Sequence, residues 1–187
     1  MSVDQKGAVA GGDVVGRDKT EVHNHIPPSP PKLSKLEKLK ARLQEEIADE
    51  ACSREIIEDL QSFKRRIPED GVVGLEAKLE VAGRSEQLMV ALDMKERFAK
   101  LLEKWSLYVS AQEIFVHLLA MAEYKFTHHI RPHLSDSSPP ELDELIERKI
   151  IEPSIDDLGV DVFCLDHHSA MGMIYWLAEQ CRVRWHK

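Results

Sequence analysis

The chain has 187 residues, of which 43% are hydrophobic and 31% charged, enough apolar material for one buried core. Its formal net charge of −8 argues against general binding to nucleic acid or to an anionic membrane surface. No apolar run approaches membrane-spanning length and the N-terminus lacks the basic start and apolar core of a signal peptide, so a cytoplasmic protein is expected.

Residues 1–31 differ in composition from everything that follows. Gly11, Gly12 and Gly16 stand among β-branched residues, and Pro27, Pro28, Pro30 and Pro31 close the segment, a composition that opposes a helix. The expectation is a short β-hairpin with strands near 8–15 and 20–26, turning at Gly16, Arg17 and Asp18, followed by an extended proline spacer. A lone hairpin is marginal in water. With only Val9, Val14, Val15, Val22 and Ile26 as larger apolar groups, this head needs a second surface, either a copy of itself or a partner strand. Val14, Val15, Gly16, Arg17, Asp18, Val22 and Ile26 are the candidate pairing residues, with Gly16 supplying the turn geometry and Arg17 and Asp18 pairing between copies in a symmetric assembly.

Residues 32–187 read as a helical body of about six to seven helices. Leu33, Leu36, Leu39, Leu43 and Ile47 recur at helical steps, and Ile56, Ile57, Leu60 and Phe63 mark a second helix. A turn at 68–71 precedes a short helix over 75–81 that stops at Gly83. Leu88, Leu92, Phe98, Leu102 and Trp105 define a long helix from Ser85. Ser110 and Glu113 have the spacing of a capping box opening the most apolar helix, which is expected to end near Pro132. Ser138 and Glu141 form a second such box, with Pro139 at the first helical position; that helix is expected to fade between Pro153 and Gly159. Asp166 is the expected N-cap of a last helix over 167–180, and the alternation in Cys181–Trp185 suggests a short terminal strand.

Candidate chemistry is sparse. Gly11 and Gly16 have the spacing that opens a P-loop, but Arg17 and Asp18 stand where Lys and Ser or Thr are required, and no helix follows. Cys52, Cys164 and Cys181 are widely spaced without a CxxC pair, which disfavours a disulfide scaffold or zinc ribbon and is expected to mean three buried thiols. His128, His129 and His133 cluster at a helix end, and with Asp166 they are the candidate metal ligands; dipole complementarity at the helix C-terminus is the plainer account. No nucleophile–base pair can be assigned, so no catalytic residue and no cofactor is expected. Lys64, Arg65 and Arg66 end a helix, where the same dipole accounts for them. Arg184 and Trp185 are either a partner-facing tip or packed onto the body. Between Ser135 and Asp166 ten carboxylates face two bases, Arg148 and Lys149: a solvated acidic face, or the seat of a basic partner.

The head over Gly11–Thr20, the proline linker, and the stretches Leu33–Leu39, Gly74–Glu80, Met94–Lys100, Ala111–Ala120 and Gly172–Leu177 together resemble the C-terminal domain family of bacterial ABC-three-component systems. The resemblance covers nearly the whole chain and transfers no catalytic residue. It implies a conflict (antiphage) system in which an ABC ATPase and a small middle component accompany an effector-bearing protein, with the helical domain coupling effector to ATPase. No effector domain is expected before the head, so the chain is expected to be either a stand-alone adaptor or one on which a separate effector protein docks. The function expected is therefore a non-enzymatic adaptor that self-assembles through its head and docks on protein partners. The rivals are a small metal-dependent hydrolase using His128, His129 and His133, and a nucleic-acid sensor using Lys64–Arg66 and the basic tail. If the head drives assembly, Val15→Asp combined with Val22→Asp lowers the mass seen by light scattering while helix content by circular dichroism stays unchanged; an unaltered mass refutes head pairing.

Overall fold

A computed structural model describes residues 34–66, 71–158 and 163–186, all within the unit Leu33–Lys187 of the two into which the chain divides. The head residues Val14, Val15, Gly16, Arg17, Asp18, Val22 and Ile26 lie outside the described residues. Helix α1 (Lys35–Ala48) begins where Ser34 Oγ accepts the Glu37 N–H at 3.1 Å and the Glu37 carboxylate accepts the Ser34 N–H at 2.6 Å. These bonds, the backbone one foremost, hold the Glu37 carboxyl below its ordinary pKa. Leu39 and Leu43, one turn apart, are buried.

Two short helices follow, α2 (Glu58–Lys64) and α3 (Gly74–Val81), and Gly83, at φ 69°, ends the second in the left-handed region. A single 3₁₀ turn, Ser85–Gln87, leads into α4 (Leu88–Trp105). Helix α5 (Val109–Lys125) is the centre of the core, with Ile114, Phe115, Leu118, Leu119 and Ala122 inaccessible to solvent. The chain then runs through α6 (Pro139–Ile146), α7 (Glu152–Leu158) and α8 (His167–Glu179). Ser138 caps α6 through the expected box with Glu141, and Asp166 caps α8 by accepting the Ser169 N–H at 2.7 Å. The fold is mainly helical, with no strand among the described residues. No helix among them is long and apolar enough to cross a membrane.

The structure corrects several expectations. Ser110 is not a cap: α5 starts one residue earlier, and Ser110 is buried, its hydroxyl donating to Glu46 at 2.6 Å and accepting from Arg42. Glu113 pairs with Arg42 at 2.6 Å instead of closing a capping box. The end of the helical run at Leu158 falls inside the expected range 153–159, so that expectation holds, and the run continues past Pro153. A wide π-turn, Glu147–Ile151, lies just before it, and a second π-turn, Phe126–Ile130, lies just before Pro132. A proline offers no N–H and crowds the carbonyl one turn back, and both helices have widened at that point. Cys181–Trp185 forms no strand. Cys181 adopts φ 61° and the chain folds back, with Arg182 N–H bonding the Leu177 carbonyl at 2.9 Å. The alternation was real, since Cys181, Val183 and Trp185 are all buried, but helices cover them. Cys52 and Cys164 sit in loops and are exposed; Cys181 alone of the three is buried.

Helices α4 and α8 cross with their backbones nearly touching. A Cβ on Gly172 would stand 2.1 Å from the Met94 carbonyl oxygen. Around this crossing Phe98 meets Phe115 and Trp176 edge to face, each at 6.0 Å between ring centroids. Gly172→Ala therefore forces the two helices apart and costs about 3 kcal/mol by urea unfolding; a cost below about 0.5 kcal/mol, the ordinary size of a surface change, would refute the close crossing.

Candidate interaction groove

The turn at Gly83 delivers Arg84 into the protein, where it is 2% exposed. Its guanidinium donates to Asp143 at 2.6 Å, to the Pro139 carbonyl at 2.9 Å and to Gln87 at 3.2 Å, and it lies 5.0 Å from the Trp185 ring centroid. One side chain thus ties the 3₁₀ turn, α6 and the C-terminal segment together. Lys78, 1% exposed, does the same for α3: its ammonium donates to the Ala178 and Val183 carbonyls at 2.8 and 2.9 Å. Glu179 returns the tie, accepting the Leu75 N–H at 3.0 Å at the start of α3 and pairing with Arg66. Burial pushes the Tyr175 phenol up to about 12, the Asp143 charge adds to the rise, and Arg84 opposes it.

This frame carries an open groove of about 420 Å³ between α4, α6 and α8. Its apolar lining is Val90 and Met94 from α4, Ile151 from the π-turn Glu147–Ile151, and Met171 and Tyr175 from α8. Glu86, Asp143 and Glu147 bring carboxylates to the same lining, together with His167 and His168. Glu147 contacts His167 Nε2 at 3.2 Å. His167 is also shared with a second depression of about 260 Å³ lined by Glu152, Ile155 and Asp156. Four of the five carboxylates come from the acidic segment read in the sequence. Its apolar residues Leu142, Ile146 and Ile150 point into the core.

The sequence-derived candidates separate in space and role. His128 and His129 are exposed beside Tyr124, at 4.5 and 6.2 Å between ring centroids, and His133 is exposed on the following turn. Asp166 is committed to the Ser169 N–H. Among the described residues no three His, Cys, Asp or Glu side chains are placed to hold a metal ion. Trp185 is not an exposed tip. It is 2% exposed, stacked on Tyr175 at 5.8 Å and edge-on to Phe126 at 5.2 Å, because the fold-back after α8 carries it into the core. Arg184 beside it is half-buried. Lys64, Arg65 and Arg66 are exposed, with Arg66 engaged by Glu179. Sequence reasoning missed Lys78, Arg84 and the groove. A signal for the groove was present in Val90, an exposed apolar residue beside the stripe Ala91, Phe98, Leu102 that α4 buries.

Residues 74–185 match the family model described as C-terminal domain 9 of the ABC-three component (ABC-3C) systems. The chain belongs to this family. The match begins at α3 and ends at Trp185, so it holds the Lys78 and Arg84 ties and every residue of the 420 Å³ groove, and leaves α1 and α2 outside. Membership in a multi-component system implies protein partners. No curated protein and no solved structure matches the chain.

Asp166 fixes where α8 starts, and the Ser169 N–H bond holds its carboxyl below the ordinary 3.8. A lowered folded value means stability that is present above the unfolded value and lost as pH falls through the folded one. Asp166→Ala is thus expected to cost about 1 kcal/mol near neutral pH, with the gap to the parent closing as the pH drops below 3.8. Asp166→Asn keeps the cap throughout. Urea midpoints across that range check it; a gap independent of pH refutes the carboxylate cap.

Proposed function

We propose that the chain is a non-enzymatic coupling component of a bacterial conflict system. The helical body docks on a protein component of the system, the ABC ATPase among them, and the head self-associates or adds a strand to an effector. The observation that carries this reading is the family match of residues 74–185 to a domain of a three-component ABC system.

Its physical support is the use to which the deepest polar groups are put. Lys78 and Arg84 are spent on backbone carbonyls and on Asp143. Gln112, fully buried, accepts the Ile57 N–H at 2.7 Å and donates to the Glu55 and Ser106 carbonyls. These groups hold elements in place and are not aimed at a shared reacting centre of the kind catalysis requires. What they leave exposed is an acid-lined apolar groove, which suits a binding role.

The test is co-expression of the full chain with the ATPase and middle components encoded beside it. Affinity capture and light scattering are expected to show a stable complex with at least one of them. The same capture is expected from a chain starting at Lys32, which loses only self-association. Failure of the full chain to retain either component refutes the coupling reading.

A further inference from the structure

We infer that the groove lined by Glu86, Asp143 and Glu147 is a docking site for a cationic amphipathic helix of a partner protein. The inference rests on the coupling reading and gives it a surface. Its first ground is apolar exposure where a helix has no need of it. Met89 is 77% and Val90 57% exposed at the N-terminal end of α4, although that helix already buries a separate stripe. Met94 and Met171 add to the apolar lining, and methionines adapt readily to a partner's side chains.

Charge then selects the occupant. Glu86 and Glu147 line the groove, and Glu152 and Asp156 line the adjoining depression that shares His167 with it. The cation beneath, Arg84, is consumed by Asp143 and the Pro139 carbonyl. An occupant with apolar side chains flanked by Lys or Arg meets this field; nucleic acid or an anionic bilayer is repelled by it.

Backbone chemistry decides the occupant's form. The walls are helices and helical turns, so no strand edge here offers main-chain pairing. A segment entering an apolar groove must therefore arrive with its own peptide groups already bonded, which means as a helix. A groove of about 420 Å³ with a second depression of about 260 Å³ beyond it accepts anchors from successive turns of such a helix.

The experiment is titration of the full chain with a fluorescent synthetic peptide of Leu, Met and Lys, roughly 18 residues or five turns long, whose apolar residues share one helical face. A scrambled peptide of the same composition is the control. Two double variants, Glu86→Lys with Val90→Lys and Glu152→Lys with Asp156→Lys, alter exposed positions only, and circular dichroism verifies their folds. Saturable one-to-one binding is expected, weakened at least tenfold by either variant, by scrambling and by high salt. Absence of binding, equal binding of the scrambled peptide, or equal binding by both variants overturns the site. So does a loss of the chain's own oligomeric mass in the first variant, which would make a second copy the occupant. If the peptide binds as expected but the chain captures neither system component, the coupling reading fails and the groove stands. If component capture survives while the peptide result is negative, the groove fails and the coupling reading stands.

Discussion

The contact between Gly172 and the Met94 carbonyl sets the distance at which α4 and α8 cross, and most of the molecule is arranged around that distance. Any side chain at 172 would place a carbon inside the space the carbonyl oxygen already occupies. With the two backbones this close, Phe98 reaches both Phe115 on the central helix and Trp176 on α8. The side of α8 next to that face then carries Met171 and Tyr175 to the groove, while Ala178 and Glu179 at its end receive α3. One small residue therefore couples the core to the surface that a partner would meet.

Two buried cations hold the periphery to this crossing. Burying a charge costs more than a simple pair returns unless its hydrogen bonds are satisfied. Arg84 meets that condition with a carboxylate, a backbone carbonyl and a side-chain amide, and Lys78 with two carbonyls near the end of α8, where the helix dipole favours positive charge. Their effect is positional. They determine where α3, the 3₁₀ turn and α6 stand relative to α8, and the C-terminal segment is caught between them, with Trp185 packed under Arg84. The family-defining segment starts and ends at these ties.

The acidic stretch between α6 and α7 shows how one segment serves two environments. Leu142, Ile146 and Ile150 recur four apart and face the core, whereas Asp143 and Glu147, one position further on, fall on the groove. The π-turn at Glu147–Ile151 inserts extra backbone at this point. Ile150 and Ile151 within it are both buried, Ile151 also lining the groove, and it carries the helix through Pro153 where a regular helix meets a steric clash.

What the sequence by itself determined is whatever is decided within a few residues of chain. Helix class, the 3.6-residue stripes, the Ser138–Glu141 box, the Asp166 cap and the stop at Gly83 all follow from local periodicity and local hydrogen bonding, and all are present. Tertiary structure alone decided the destination of polar and alternating residues whose partners are distant in sequence. Ser110 had the spacing of a cap but was claimed by Glu46 and Arg42 from α1. Cys181–Trp185 alternated like a strand, yet lay against helices that offered burial and no ladder. Lys78 and Arg84 gave no sign of burial, because their acceptors lie about a hundred and about sixty residues away. The groove was illegible for the same reason: its lining is drawn from α4, α6 and α8, and only the crossing at Gly172 brings them together.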